Sequence, residues 1–182
     1  MTRSVYYTAS TLDGFLADEQ DSLAWLFKQD IDEAGAMNYG AFIKEIGAIA
    51  MGATTYAWIV AHLAETGESW DYDMPAYVFT HREPTPLEGA DVRFVSGDVA
   101  STYDEIAAAA GERDVWVVGG GDLAAQFAEA GHLDEMIVSI APVTLGAGRP
   151  IFPRRWDFRL VELDRNRAFV CARYEVVGPL GP

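Results

Sequence analysis

Two short stretches hold the residues best suited to chemistry. Met51-Gly-Ala-Thr-Thr55 places a glycine and two hydroxyls after an apolar run. Val117-Val-Gly-Gly-Gly-Asp-Leu123 places three glycines and an acid after another. In each, a strand-like run ends on small residues and a helix-forming segment begins. Small residues let the backbone approach a ligand, and the free N–H groups of a helix start face an anion. The chemistry this suits is phosphate holding. Taken alone, the triple glycine reads equally well as a tight strand-to-helix turn with no ligand. Taken together the two stretches are more informative, because a dinucleotide has two phosphates and two ends to bind. Neither matches GxGxxG or a P-loop. Ser10, Ser139, His62, His81 and His132 lack the context of an activated nucleophile, and no histidine pair has zinc spacing. Cys171, the single cysteine, permits no internal disulfide and lies in an alternating run, where it reads as an inert strand residue.

Composition narrows the partners. The 182 residues suffice for one domain with a substantial core, and half of them are hydrophobic, which argues against disorder. Thirteen basic against 28 acidic residues leave a formal charge of -15. That balance disfavours nucleic acid and anionic membrane, while a small anionic ligand needs only a local site. No basic segment followed by an apolar one opens the chain, and no stretch reaches membrane-spanning length, so a cytoplasmic location is expected.

The elements that must position these residues follow in order. Ser4 to Ala9 reads as a strand, and Asp13-Gly14 as a turn. Asp30 to Glu45 is expected to be largely helical, with Asn38 able to cap a shorter helix. Ala48 to Met51 is a buried strand, followed by a helix through Trp58 and Leu63 that Thr54 is expected to cap. Ala76 to Thr80 and Val92 to Val95 are further strands. Ser101-Thr-Tyr-Asp104 fits a capping box before Ile106 to Ala110. Val115 to Val118 is a strand buried on both faces, and Asp122 is the expected cap of the helix after it. Glu135 to Ala141 is a strand, and Phe158 to Leu163 with Ala168 to Val177 forms a closing hairpin around Arg165-Asn166. The order predicts an α/β fold: one mixed sheet with helices on its faces.

Four segments, in order along nearly the whole chain, carry a resemblance: Thr8-Ala-Ser-Thr-Leu-Asp-Gly-Phe-Leu-Ala17, Met51-Gly-Ala-Thr-Thr-Tyr56, Val117-Val-Gly-Gly-Gly-Asp-Leu123 and Pro142-Val-Thr-Leu-Gly-Ala-Gly-Arg-Pro-Ile-Phe152. The chain resembles the dihydrofolate reductase-like superfamily, nearest the branch of the riboflavin biosynthesis protein RibD C-terminal (reductase) domain. The resemblance implies a single domain spanning residues 1–182, with a mostly parallel sheet, helices on both faces and a C-terminal antiparallel hairpin. It also implies hydride transfer from NADPH, with NADH as the alternative, to a small heterocyclic or sugar-linked substrate. A 5-amino-6-(5-phosphoribosylamino)uracil reductase-like activity and a homodimer belong to the same expectation.

By this resemblance Ala9 and Leu16 flank the nicotinamide, Asp13 begins a loop beside the active site, and Trp25 borders the substrate; Asp13 or a bound water is the available proton donor. Gly52, Thr54 and Thr55 hold cofactor phosphate. The family motif there is Gly-Arg-x-Thr-Tyr, and Ala53 stands where its arginine belongs, which weakens discrimination of NADPH from NADH. Thr80 and Arg82 match the adenosine end, where Arg82 can replace the missing charge. Gly120, Gly121, Asp122 and Leu123 match the pyrophosphate side, and Ser139 a position near substrate. A substrate phosphate calls for a basic pocket, for which Arg149, Arg154 and Arg155 are the local candidates. The helix acid of true dihydrofolate reductases has no counterpart near Ala36, Met37 or Tyr39 without a shift to Asp32 or Glu33, so dihydrofolate is a minor alternative. A dimeric nucleotide-binding protein without turnover is the other.

Overall fold

Six parallel strands form most of an eight-stranded sheet in the computed structural model, which describes residues 2–181. In chain order the elements are β1 (Ser4–Thr11), β2 (Phe15–Ala17), α1 (Tyr39–Phe42) running into a 3-10 turn (Ile43–Glu45), β3 (Ile46–Gly52) and α2 (Ala53–Thr66). Next come β4 (Ala76–Phe79), β5 (Val92–Val95), α3 (Val99–Ala110), β6 (Asp114–Gly119) and α4 (Gly121–Glu129). The chain closes with β7 (Glu135–Ala141), β8 (Arg149–Pro150), β9 (Trp156–Asn166) and β10 (Phe169–Pro179). The sheet order is β5-β4-β3-β6-β1-β7-β10-β9, with β10 antiparallel to both β7 and β9, and β2 pairs with β8 in a separate small ribbon. The mixed, mostly parallel sheet with its closing antiparallel strands is the fold expected from the sequence.

Alternation along the central strands sends side chains to two cores. Tyr6, Ala48, Ala50, Val115 and Val117 face α3 and α4, where Ile106, Leu123 and Phe127 cover them. Ile49, Met51, Val78 and Trp116 face the opposite way, toward Tyr56 and Ile59 of α2. A sheet covered on both faces needs apolar residues at nearly every central position, which explains the unbroken apolar run of β3. The third cluster, around Trp25, Phe169 and Cys171, closes the β7–β10 side.

Several local expectations give way to tertiary contacts. Asp30 to Glu45 is not a long helix: only α1 and its 3-10 turn form, with the Asn38 side chain accepting a bond from Ala41 N at 2.8 Å. Buried Asn166 holds the preceding segment in another shape, accepting from Asp32 N at 2.9 Å and donating to the carbonyls of Asp32 and Ala36 at 3.0 and 3.3 Å. Side-chain bonds of this kind compete directly with helix. The cap of α3 is Asp98, three residues before Ser101, whose N–H it binds at 2.8 Å. The closing turn lies two residues later than expected: Asn166 pairs with Phe169, leaving Arg167 and Ala168 at the tip.

Candidate functional site

Strand β6 lies between β3 and β1, and the helices that follow β3 and β6 leave on opposite faces of the sheet. Such a divergence opens a crevice at the carboxyl ends of the strands. The register brings Met51 opposite Gly119, so the two glycine-ended turns become neighbours. A β-carbon added at Gly52 would lie 3.8 Å from Gly119 O and Gly120 N. The Gly119–Gly120 peptide is cis.

The resulting cleft holds ≈ 720 Å³, within the range of ligand sites. Its floor follows the strand order: Phe79, Thr80 and His81 after β4, Gly52 to Thr55 after β3, Val118 to Leu123 after β6, then Thr8 and Ala9 on β1. Leu16 and Ala17 of β2 lie beside Ala9's end, and Trp58, Ile59, Tyr72, Leu23 and Leu26 form apolar walls. Ala9, Leu16, Gly52, Thr54, Thr55, Thr80, Gly120, Gly121, Asp122 and Leu123 therefore all line one cleft.

The helix starts differ in a useful way. Gly52 and Gly120 occupy the N-cap positions of α2 and α4, and neither start has a side-chain capping bond. The caps expected of Thr54 and Asp122 are thus corrected: both residues lie inside the first helical turn. Asp122 instead accepts from Gln126 Nε2 at 2.8 Å and from Arg154 Nη2 at 2.9 Å. By contrast α1 and α3 are capped by the side chains of Asn38 and Asp98, and α3 borders the cleft only through Gly97, before its cap. The first N–H groups of a helix have no intrahelical acceptor, so two starts without side-chain caps opening into one cleft form a paired anion cradle. At Gly120 an added β-carbon would meet nothing within 4 Å, so the cradle has room for a ligand. Gly121 is small for another reason: its β-carbon would stand 2.3 Å from Pro150 O and 2.4 Å from Ile151 O.

Four expected site residues stand outside this lining. Asp13 accepts from Thr11 Oγ1 at 2.6 Å, Gly146 N at 2.7 Å and Leu145 N at 3.1 Å. The Thr11 hydroxyl bond and the backbone bonds hold its carboxyl below the usual carboxylate range. An anchored acceptor of this kind fastens a loop, so the proton-donor reading of Asp13 is corrected. Trp25 is buried, and its indole donates to Leu16 O at 3.2 Å, bracing β2 from behind. Ser139 pairs with Ala9 across the β1–β7 ladder, but its hydroxyl lies 3.5 Å from Cys171 Sγ. Arg82 borders a smaller hollow with Thr80, His81 and Phe94, continuing outward from the β4 end of the cleft.

Sequence reasoning missed Trp58 and Tyr72. Trp58 is held flat by His62, 4.8 Å away at 12°, and by Phe27 at 6.3 Å and 15°. Tyr72 meets Trp70 edge-on at 4.8 Å and Trp116 at 5.9 Å, and desolvation raises its pKa, keeping it a neutral phenol. The spacing of Trp58, His62 and the α2 stripe carried a signal for the first; nothing local marked the second. Arg149 also lines the cleft, but its guanidinium is forked onto Asp21, with Nε–Oδ1 2.5 Å and Nη2–Oδ2 3.1 Å.

Residues 5–169 match the family model described as the RibD C-terminal domain. The chain belongs to that family. It is 28% identical over 168 residues to YwjB, an uncharacterized protein of Bacillus subtilis, covering 92% of each chain. Among solved structures it is similar to a protein of Shewanella sp. PV-4 provisionally assigned to riboflavin biosynthesis, with TM-score 0.81, 20% identity and coverage of 97% of this chain and 99% of the other. A Thermotoga maritima diaminohydroxyphosphoribosylaminopyrimidine deaminase/5-amino-6-(5-phosphoribosylamino)uracil reductase matches at TM-score 0.63 and 17% identity, over 97% of this chain and 57% of that one. An Enterococcus faecalis dihydrofolate reductase matches at TM-score 0.55 and 14% identity, over 96% of each, which places the fold in the dihydrofolate reductase-like group. Among the described residues no helix is long and apolar enough to cross a membrane.

Proposed function

We propose that this RibD C-terminal domain is an NADPH-dependent oxidoreductase that reduces a small heterocyclic or sugar-linked substrate. The observation that carries the reading is the paired cradle: two helix starts without side-chain caps, α2 and α4, meeting Ala9 and Leu16 in one cleft. The amides after Gly52 and Gly120, with the hydroxyls of Thr54 and Thr55, would hold the pyrophosphate. Thr80 and Arg82 would receive the adenosine end, since they continue the cleft floor past β4. Ala9 and Leu16 would border the nicotinamide. When bound, the reduced nicotinamide supplies a hydride. The chain's own part is alignment and exclusion of water by the apolar walls. NADPH is preferred modestly over NADH, because Ala53 supplies no cation and Arg82, beside the β4 end of the cleft, would supply it.

Relatives whose names include 5-amino-6-(5-phosphoribosylamino)uracil reductase support pyrimidine-like chemistry. Dihydrofolate is the weaker assignment, because Asp32 and Glu33 lie outside the cleft lining. A homodimer through β9 fits the exposed Leu160, Val161 and Leu163 on that unpaired edge. The test is titration of NADPH and NADH against intrinsic tryptophan fluorescence, followed by cofactor oxidation with a substrate panel. Saturable binding with turnover is expected. Binding without turnover of any substrate would favour a nucleotide-binding protein, and no binding of either cofactor would end the proposal.

A further inference from the structure

We infer that the substrate of this cleft is an uncharged, flat ring carrying no phosphate. The inference rests on the cofactor reading above and narrows it. Both uncapped helix starts lie on the β3 and β6 turns, and the cofactor pyrophosphate would take them. A substrate phosphate would then need a third anion site. The apolar walls of the same cleft are Leu23, Leu26, Trp58, Ile59 and Tyr72, none of which is charged at neutral pH.

Cations do not fill the gap. Among the described residues Arg149 is the only arginine or lysine lining the cleft. Its planar fork is already matched to the Asp21 carboxylate, and Asp21 lines the cleft beside it. A phosphate approaching Arg149 would meet that carboxylate as a like charge and would have to break a paired bidentate contact. Arg154 is likewise occupied, donating to Glu129 Oε1 at 2.7 Å and Asp122 Oδ1 at 2.9 Å. Two carboxylates and one neutralised arginine make the cleft unfavourable to a second anion. The Trp58 and Tyr72 rings, each fixed by aromatic neighbours, line the cleft with apolar surface that suits a planar ring instead. A bound reduced nicotinamide would supply a hydride to the electron-poor carbon of a conjugated C=N or C=O in such a ring, the π pair would move onto the heteroatom and take a proton from water, and the nicotinamide would be oxidised.

A matched pair tests this: 5-amino-6-(5-phosphoribosylamino)uracil and the same compound after phosphatase treatment. Both are titrated calorimetrically into protein saturated with NADP⁺, and both are assayed for NADPH oxidation. The dephosphorylated compound is expected to bind about tenfold tighter, one charged contact's worth. Asp21→Asn, which releases the Arg149 fork, is expected to shift that ratio toward the phosphorylated compound. Tighter binding of the phosphorylated compound to the wild type overturns the inference, as does failure of both compounds to bind while NADP⁺ is held. Failure of NADP⁺ and NADPH themselves to bind is a different result, which removes the cofactor reading and this inference with it.

Discussion

Gly120 and Gly121 are adjacent, yet the structure predicts opposite consequences for the same substitution. At Gly121 an added methyl meets Pro150 O at 2.3 Å, Ile151 O at 2.4 Å and Ile151 C at 2.7 Å. These are backbone atoms, so α4 or the Pro150–Ile151 segment must move. Overpacking of this kind costs about 1–3 kcal/mol. Unfolding entropy of about 2.1 cal/mol/K per residue, over 182 residues, turns that cost into a Tm loss of about 3–8 °C. At Gly120 φ is -75°, which alanine accepts, and the methyl meets no protein atom within 4 Å. Gly120→Ala should therefore melt within about 1 °C of wild type, while its methyl intrudes where pyrophosphate would lie and weakens NADPH binding by about tenfold or more. Calorimetric melting and fluorescence titration of the two variants measure both effects. Equal melting of Gly121→Ala and wild type would refute the close approach of α4 to Pro150. Full NADPH affinity in Gly120→Ala would refute the cradle.

Three further outcomes are expected. The folded-state pKa of Asp13 lies below its unfolded value, so its contribution is present above about pH 3.9 and is lost as pH falls through the folded value. Protection factors at Leu145 and Gly146, relative to the intrinsic exchange rate at each pH, should then fall on acidification and be low at all pH in Asp13→Ala; protection that ignores both changes would sink this assignment. Arg82→Glu should weaken NADPH several-fold more than NADH, roughly three- to tenfold for a solvated contact, and equal losses would show that Arg82 does not read the extra phosphate. Light scattering should give twice the chain mass, with Leu163→Glu on the exposed β9 edge shifting it toward the monomer; a wild-type monomer would remove the dimer.

What could be read from the chain depended on how local the cause was. The run Val115 to Val118 and the glycines after it announce a buried strand and a turn, because β-branched and glycine residues act through their own backbone. The cleft-lining positions from Gly52 to Thr55 and from Gly120 to Leu123 follow from the same logic. Caps were misplaced by a few residues, since Thr54, Ser101 and Asp122 are acceptable caps in isolation and only the folded path shows where each helix starts. The helix expected over Asp30 to Glu45 failed because Asn166, more than a hundred positions away, binds its backbone. The cleft's charge is less local still. Arg149, Arg154 and Arg155 cluster in sequence as a candidate phosphate pocket, but Asp21 reaches Arg149 across 128 positions and Asp122 reaches Arg154 across 32. A charge's availability to a ligand depends on what the fold has already paired with it. Arg149 and Arg154, which suggest an anionic substrate in the linear chain, therefore argue against one in the folded protein.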